Sequence, residues 1–320
     1  MDLHPFGFPT YSNPVATADV KASIVFLSND SLALYFEQQI SETAQPPYSF
    51  KVLTFDASGK LMGQLAFLGD GKSLDITSGP NETILLRESE KLDIYDARLQ
   101  LIKTHPLPST TLGMKFDRAL NQLVLVTTVD DSGKQKAHFL DANSFEELTS
   151  LIYPKRSTVI FGERQLAYSL GGYCKGALHF QPDQSNWQKL QDRQTCNPLT
   201  FIGRDAIAYA LNQQLSVVDR NGNELFSGHI PAPDTFHMPS FVGLSEDRAR
   251  LAIMALMKRS KFTTKAGTWP YYNEVFVYDL KPKKLLLKHA MPEGYVSALS
   301  PDGHLMATIE LGTLKIVPIP

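Results

Sequence analysis

The sequence predicts an all-β protein built from similar units. Short apolar runs of strand length alternate with turns rich in Gly, Asn, Asp and Pro, and no helical periodicity runs through the 320 residues. An aspartate that closes a strand recurs at intervals of about 40 residues or a multiple of it, and most repeats contain four strand-like segments. Four strands per repeat of this length indicate a propeller blade. We therefore predict a seven-bladed β-propeller of four-stranded antiparallel blades.

The strand-closing aspartates define the repeat, and they are Asp56, Asp96, Asp141, Asp219 and Asp279. The gap between Asp141 and Asp219 is about two periods, so a further copy is expected near Gln181, which ends the strand-like run from 177. One period beyond Asp279 falls on the strand-like segment 314–318. Aspartates in such turns accept hydrogen bonds from local backbone N–H groups, so we expect a structural role for all five.

Two strands precede most of these anchor positions, and a further strand follows most of them. In chain order, the preceding strands are predicted at 24–27 and 32–36, 84–86, 114–116 and 123–126, 159–161 and 166–168, 199–202 and 206–209, 241–244 and 251–254, and 296–299 and 305–309. The fourth strands are predicted at 61–67, 99–104, 148–153, 187–190, 224–229 and 285–289. The resulting blades are 20–69, 72–107, 111–153, 156–192, 197–231, 238–290 and 293–320.

The last repeat ends at Pro320 without a fourth strand, whereas the segment 3–11 precedes the first blade and has no other assignment. We expect 3–11 to pair with 312–317, because this would close the ring and cover an exposed sheet edge. The prediction is one domain over 1–320, with no linker.

Three features connect the whole chain to a known group of proteins: the turn Ser-Pro-Asp-Gly at 300–303, its degenerate form Leu-Ser-Glu-Asp at 244–247, and the strand-closing aspartates. With them the chain resembles the WD-repeat-like and YVTN-like β-propeller superfamily. The Gly-His and Trp-Asp dipeptides typical of WD repeats are absent from the sequence. The resemblance implies functions that range from scaffolding through ligand binding to occasional catalysis.

Composition excludes several classes of function. The formal net charge of -2 argues against a dedicated nucleic-acid binder, which needs a basic surplus. No apolar run approaches the ~20 residues that span a bilayer, and the N-terminus lacks the basic and apolar regions of a signal peptide. The eight histidines show no chelating spacing, and no Gly-x-Ser-x-Gly elbow is present. We expect a monomer with no cofactor and no metal.

The candidate binding site is the long segment 257–273, which carries Lys258, Arg259, Lys261 and Lys265 without an acidic residue. Long loops in a compact fold are usually functional or disordered. Its basic groups suit an anionic ligand and its aromatic residues supply rigid contact area. With residues from loops expected on the same face, the candidates are Arg156, Tyr173, His237, Arg259, Lys261, Trp269, Tyr271, Tyr272 and Tyr295. The alternative is a solvated basic loop whose aromatic residues pack against neighbouring blades.

The two cysteines, Cys174 and Cys196, fall in loops expected on that same face. A disulfide between them would close a loop of about 23 residues and stabilise the fold by roughly 3 kcal/mol. It would place the protein in an oxidising compartment, secreted or periplasmic, after removal of a leader. The alternative is two free thiols in a cytoplasmic protein.

These observations favour a non-catalytic binding or protein-interaction propeller that uses the face of the 258–272 loop. Its partner would be a protein or a small anionic ligand. The alternative is a propeller enzyme, such as a lyase, a hydrolase or a lactonase-like protein, with residues dispersed around the central channel. Two or more carboxylates or histidines clustered at the channel mouth would favour the enzyme. A structural module of a larger secreted assembly is a third hypothesis.

Overall fold

The structure is a computed structural model, and it describes residues 1–8, 22–39, 48–69, 74–129, 133–155, 157–169, 178–182, 187, 198–211, 213–230, 239–258, 271–291 and 294–320. These residues form seven antiparallel sheets arranged as the blades of a ring, which confirms the seven-bladed all-β propeller. Short 3-10 turns occur at His4–Phe6 and Pro80–Glu82. No helix in the described part of the chain is long and apolar enough to cross a membrane.

The first three blades have four strands each. Blade 1 contains β1 (Ala22–Phe26), β2 (Ser31–Gln39), β3 (Tyr48–Asp56) and β4 (Leu61–Gly69). Blade 2 contains β5 (Leu74–Ser78), β6 (Ile84–Glu88), β7 (Lys91–Tyr95) and β8 (Leu101–Pro106). Blade 3 contains β9 (Thr111–Asp117), β10 (Gln122–Val129), β11 (Lys134–Asp141) and β12 (Glu147–Pro154).

The other four blades include two with three described strands. Blade 4 contains β13 (Thr158–Gly162), β14 (Gln165–Ser169) and β15 (Leu178–Gln181). Blade 5 contains β16 (Pro198–Ile202), β17 (Ala206–Leu211), β18 (Gln214–Asp219) and β19 (Glu224–His229). Blade 6 contains β20 (Ser240–Leu244), β21 (Arg250–Lys258), β22 (Tyr271–Asp279) and β23 (Lys284–Met291). Blade 7 contains β24 (Gly294–Leu299), β25 (Leu305–Glu310) and β26 (Thr313–Pro318).

The hydrophobic core lies between blades, because both faces of each sheet pack on a neighbour. Each of the seven interfaces around the ring has its own apolar cluster, including one that joins blade 7 to blade 1. At the interface of blades 4 and 5, the fully buried Trp187 stacks on Phe180 at 4.4 Å and meets Phe201 edge-on at 6.3 Å. The second strands, such as β6 and β14, are accordingly apolar on both faces.

The strand-closing aspartates form turns as predicted. Asp56 Oδ1 accepts hydrogen bonds from the backbone N–H groups of Ser58 and Lys60, both at 2.9 Å. Each of the other four aspartates likewise accepts a bond from the N–H group two residues further on. The Ser58 hydroxyl and these N–H groups hold the pKa of the Asp56 carboxyl below its ordinary value. These carboxylates are therefore committed to their turns.

The Ser-Pro-Asp-Gly turn also has its expected relative in blade 6. Ser300 Oγ donates to Asp302 Oδ1 at 2.6 Å and accepts from the Leu305 N–H at 2.9 Å. Ser245 Oγ makes the same pair of contacts, to Asp247 at 2.7 Å and from the Arg250 N–H at 2.9 Å. The two sequences fold alike because the serine and aspartate satisfy the same backbone groups.

The N-terminus lies beside the last described strand of blade 7. Asp2 and Thr313 form an antiparallel bridge, and the Leu3 N–H donates to the Gly312 carbonyl at 2.8 Å. The bridged Asp2 precedes the predicted clasp segment 3–11. Residues 4–6 of that segment form a 3-10 turn, and residues 9–11 lie outside the described chain. A clasp strand over 3–11 is therefore not confirmed.

One boundary predicted from the sequence was wrong, and one strand was not predicted. Segment 257–273 was expected to be a loop, but β21 continues to Lys258 and β22 begins at Tyr271, with Lys258 paired to Tyr271. The first strand of blade 2, β5, was not predicted, because its sequence Leu-Asp-Ile-Thr-Ser has only two strongly apolar residues. The pairing of Lys258 with Tyr271 extends the β21–β22 ladder, so the connection between β21 and β22 is limited to 259–270.

Candidate functional site

The first strands of the blades run between two faces of the ring. We call the face with the connections between blades and between second and third strands the loop face, and the face with the connections between first and second strands the turn face. β21 runs from Arg250 at the turn face to Lys258 at the loop face. At about 3.3 Å per residue, these ends are roughly 26 Å apart.

Most of the predicted site residues lie outside the described part of the chain. Arg156, Tyr173, His237, Arg259, Lys261 and Trp269 do so, as do both Cys174 and Cys196, and the predictions that involve them stay predictions. Tyr271 opens β22 and Tyr295 is the second residue of β24, so the backbones of both lie near the loop face. Tyr272 lies in β22 and packs against the core between blades 5 and 6. This packing matches the alternative interpretation for that one aromatic residue.

The structure shows a second site, at the other end of the channel. A cavity of about 210 Å³ opens among the ends of β1, β9, β20 and β24 and the turns that follow them. We call this cavity, lined mainly by 24–26, 115–119, 241–246, 248, 298–299 and 301, the channel mouth. Much of its wall is apolar, with Phe26, Phe116, Phe241 and Leu299 among the lining residues.

Two ion pairs cross the channel mouth. Arg248, in the first turn of blade 6, places Nη2 at 2.8 Å from Oδ1 and 3.0 Å from Oδ2 of Asp117, at the end of β9 in blade 3. Arg118 places Nε at 3.3 Å from Glu246 Oε1 and donates from Nη2 to the Phe26 carbonyl of blade 1 at 3.0 Å. Blades 3 and 6 are not neighbours, so both ion pairs span the centre of the ring.

Lys115, in the middle of β9, has no such partner. Its ammonium lies 5.4 Å from the ring centre of Phe241, which faces it from β20 across the channel. Within the described residues, no acceptor forms a hydrogen bond with Lys115 Nζ. Burial lowers the pKa of Lys115; the nearby Asp117 carboxylate opposes this effect and Arg248 adds to it.

The charges at the channel mouth leave one cation uncompensated. Its described lining holds the cations of Lys115, Arg118 and Arg248 and the carboxylates of Asp117 and Glu246. Each carboxylate is paired with an arginine. The free ammonium suits the binding of an anionic group.

Sequence reasoning missed this site, although one signal for it was present. First strands of a propeller are packed between neighbouring blades. A lysine in such a strand is unusual, because lysine is mostly found at exposed positions. Lys115 lies within the predicted strand 114–116. Its approach to Phe241 and the pairing of Asp117 with Arg248 depend on how opposite blades face each other, which local sequence does not encode.

Comparison with known proteins supports the fold alone. The chain matches no protein-family model and no curated protein. Among solved structures it is similar to the acylaminoacyl peptidase of Pyrococcus horikoshii, with a TM-score of 0.56 and 10% identity over 97% of this chain and 54% of that one.

Two further structures are similar over most of both chains. Hsv2 of Kluyveromyces marxianus aligns with a TM-score of 0.52 and 9% identity over 92% of this chain and 90% of that one. BBS1N, in complex with ARL6DN, aligns with a TM-score of 0.52 and 14% identity over 91% and 88%. At these identities, the matches identify a propeller and leave its ligand open.

Proposed function

We propose that this chain is a non-catalytic binding propeller whose partner is a protein held over an end of the central channel. The observation that carries the proposal is the chemistry of the channel mouth. Both of its described carboxylates are neutralised by arginines, and one ammonium is left without a hydrogen-bond acceptor among the described residues. A catalytic pair of carboxylates would need at least one group free to exchange a proton.

The apolar wall around that ammonium also favours a macromolecular partner. Interface centres are apolar and aromatic, with few charges that are fully desolvated. The channel mouth shares the aromatic part of this composition, with Phe26, Phe116 and Phe241 beside two ion pairs and a single unpaired cation. One structurally similar propeller, BBS1N, was solved in complex with a protein, ARL6DN. This precedent supports a protein partner here without identifying it.

The loop face remains part of the proposal as the second place where a partner would dock. Its basic and aromatic loop, predicted at 258–272, holds Arg259, Lys261 and Trp269. The two faces lie at opposite ends of the first strands, so a variant at one face leaves the other intact. The faces can therefore be tested separately.

Site-specific photo-crosslinking in the native cell tests the proposal. A photoreactive amino acid would replace Ala119, which is exposed at the channel mouth, or Trp269 of the loop face. The control position is Leu148, which is 40% exposed on the outer strand β12. We expect discrete protein adducts from Ala119, Trp269 or both, and none from Leu148. Adducts that are equal at all three positions, or absent from both test positions, would overturn the proposal.

A further inference from the structure

The geometry points to a carboxylate as the group that the channel mouth binds: we propose that a ligand with an apolar body and a terminal carboxylate pairs with Lys115. The ligand is the side chain or C-terminus of the protein partner, or a free small carboxylate of the same chemistry. This inference rests on the proposed function insofar as it assigns a binding role to the channel mouth.

The unpaired ammonium is the first argument. Lys115 is partly buried in the wall of the cavity and has no hydrogen-bond acceptor among the described residues. Proteins normally compensate a charge in such a position with an ion pair or hydrogen bonds. The aromatic face of Phe241 at 5.4 Å provides only part of this compensation, since a cation–π contact supplies no hydrogen-bond acceptor. An incoming carboxylate would supply the missing acceptor.

The neighbouring charges select the kind of anion. Arg248 is already bound to Asp117 and Arg118 to Glu246, so neither guanidinium offers a free fork for a phosphate. One uncompensated positive charge matches one carboxylate, whereas a dianionic phosphate would be under-compensated beside Asp117 and Glu246. The apolar lining around the lysine, including Phe26, fits an alkyl or aryl body next to that carboxylate.

Proton uptake should accompany binding. The charged groups at the channel mouth near Lys115 are Asp117 and Arg118 on its own strand and turn, and Glu246 and Arg248 from blade 6. Burial lowers the pKa of Lys115, so the ammonium loses its proton at a lower pH than an ordinary lysine. A bound carboxylate would stabilise the charged form and raise that pKa. The affinity should therefore be constant between the pKa of the ligand's carboxyl group and the lowered pKa of Lys115 in the free protein. It should fall below this range, where the ligand is protonated, and above it, where the lysine loses its proton.

The experiment uses 4-methylpentanoate as the probe and 4-methylpentanamide as its neutral match, titrated into the purified full chain by calorimetry. We expect saturable binding of the acid and at least about tenfold weaker binding of the amide, because only the acid pairs with the ammonium. Lys115→Met should lose acid binding while keeping the thermal unfolding transition. Lys60→Met, an exposed lysine at the end of a turn on the same face, should bind as the native chain does.

The outcomes separate this inference from the proposed function. Equal binding of acid and amide, unchanged binding in Lys115→Met, or equally tight binding of inorganic phosphate would each overturn the carboxylate assignment, whatever the crosslinking shows. Acid binding that depends on Lys115 and falls at alkaline pH supports it, even if no protein adduct forms. In that case the proposed protein partner fails and a free small carboxylate remains as the source of the ligand. If Ala119 gives adducts that Lys115→Met abolishes, the carboxylate belongs to the protein.

Discussion

Arg248 and Asp117 are 131 residues apart in the chain and meet at the centre of the ring. Their side chains are 19% and 22% exposed, so water screens this pair less than it screens an ordinary surface pair. Arg248 also adopts a left-handed backbone conformation, with φ of 59°. This conformation is uncommon for a residue with a side chain, and Asn121 and Arg164 share it in the corresponding turns of blades 3 and 4.

We expect Arg248→Gln to lower the free energy of unfolding by roughly 1.5–3 kcal/mol, because it leaves the Asp117 carboxylate without its charged partner. Urea denaturation measures the effect, and Asp117→Asn completes a double-mutant cycle. The control is Lys281→Met, which breaks the pair of Lys281 with Asp247, where the two side chains are 72% and 58% exposed. That change should cost less than about 1 kcal/mol. Equal losses in Arg248→Gln and the control would contradict this account.

At the residue scale, the sequence predicted the role of a side chain where that side chain bonds to the backbone of its own turn. The role of Asp56 followed from its position at the end of a strand, since the N–H groups that donate to its carboxylate lie within four residues. The environment of Lys115 did not follow, because Phe241 comes from a blade on the far side of the channel. Residue roles that depend on contacts across the ring require the completed fold.

Among the structural elements, the first strands pack so closely that two of them need glycine at a defined place. A Cβ atom on Gly162 of β13 would lie 2.8 Å from the ring of Phe201 in β16, and one on Gly243 of β20 would lie 2.7 Å from the Leu299 side chain in β24. Because neither glycine has a side chain, a side chain from the next blade packs directly against its backbone. The strand patterns predicted these strands, but they did not show which of their glycines are packing sites.

Gly162→Ala and Gly243→Ala should each lower the free energy of unfolding by roughly 1–3 kcal/mol, because the added methyl group overpacks the contact with the next blade. The matched control is Gly113→Ala in the first strand of blade 3, where the nearest atom to the new Cβ is 3.6 Å away. That variant should unfold at nearly the same urea concentration as the native chain. A loss in Gly113→Ala as large as in the other two would show that strand glycines matter for another reason.

At the scale of the whole molecule, the repeat period predicted the number of blades, since each aspartate turn marks one blade and the spacing exposes the degenerate copy near Gln181. How the ends meet was harder to predict. Leu3 is fully buried in the cluster that joins blade 1 to blade 7, beside Phe8 and Ile24. The segment 3–11 was predicted to pair as a strand, but Pro5 and Gly7 favour the turn that the structure shows after Leu3.

Leu3→Ala should therefore lower the free energy of unfolding by about 2–5 kcal/mol, the usual cost of a cavity at a fully buried leucine. Met1→Ala, at a residue that is 36% exposed, is the control and should change little. Urea denaturation at one protein concentration measures both variants. If the two variants unfold together with the native chain, the contact of the N-terminus with blade 7 contributes little to the closed ring.

The seven apolar clusters each belong to two blades, and this division has a consequence for how the protein can be cut. A blade removed from the ring would carry two half cores and no whole one, with both of its faces open to water. The connections between blades look like natural boundaries in the sequence, but each of them separates two blades that share a core. A fragment that begins and ends at blade boundaries is therefore cut through two cores, whereas one that begins and ends in mid-blade is cut through two sheets.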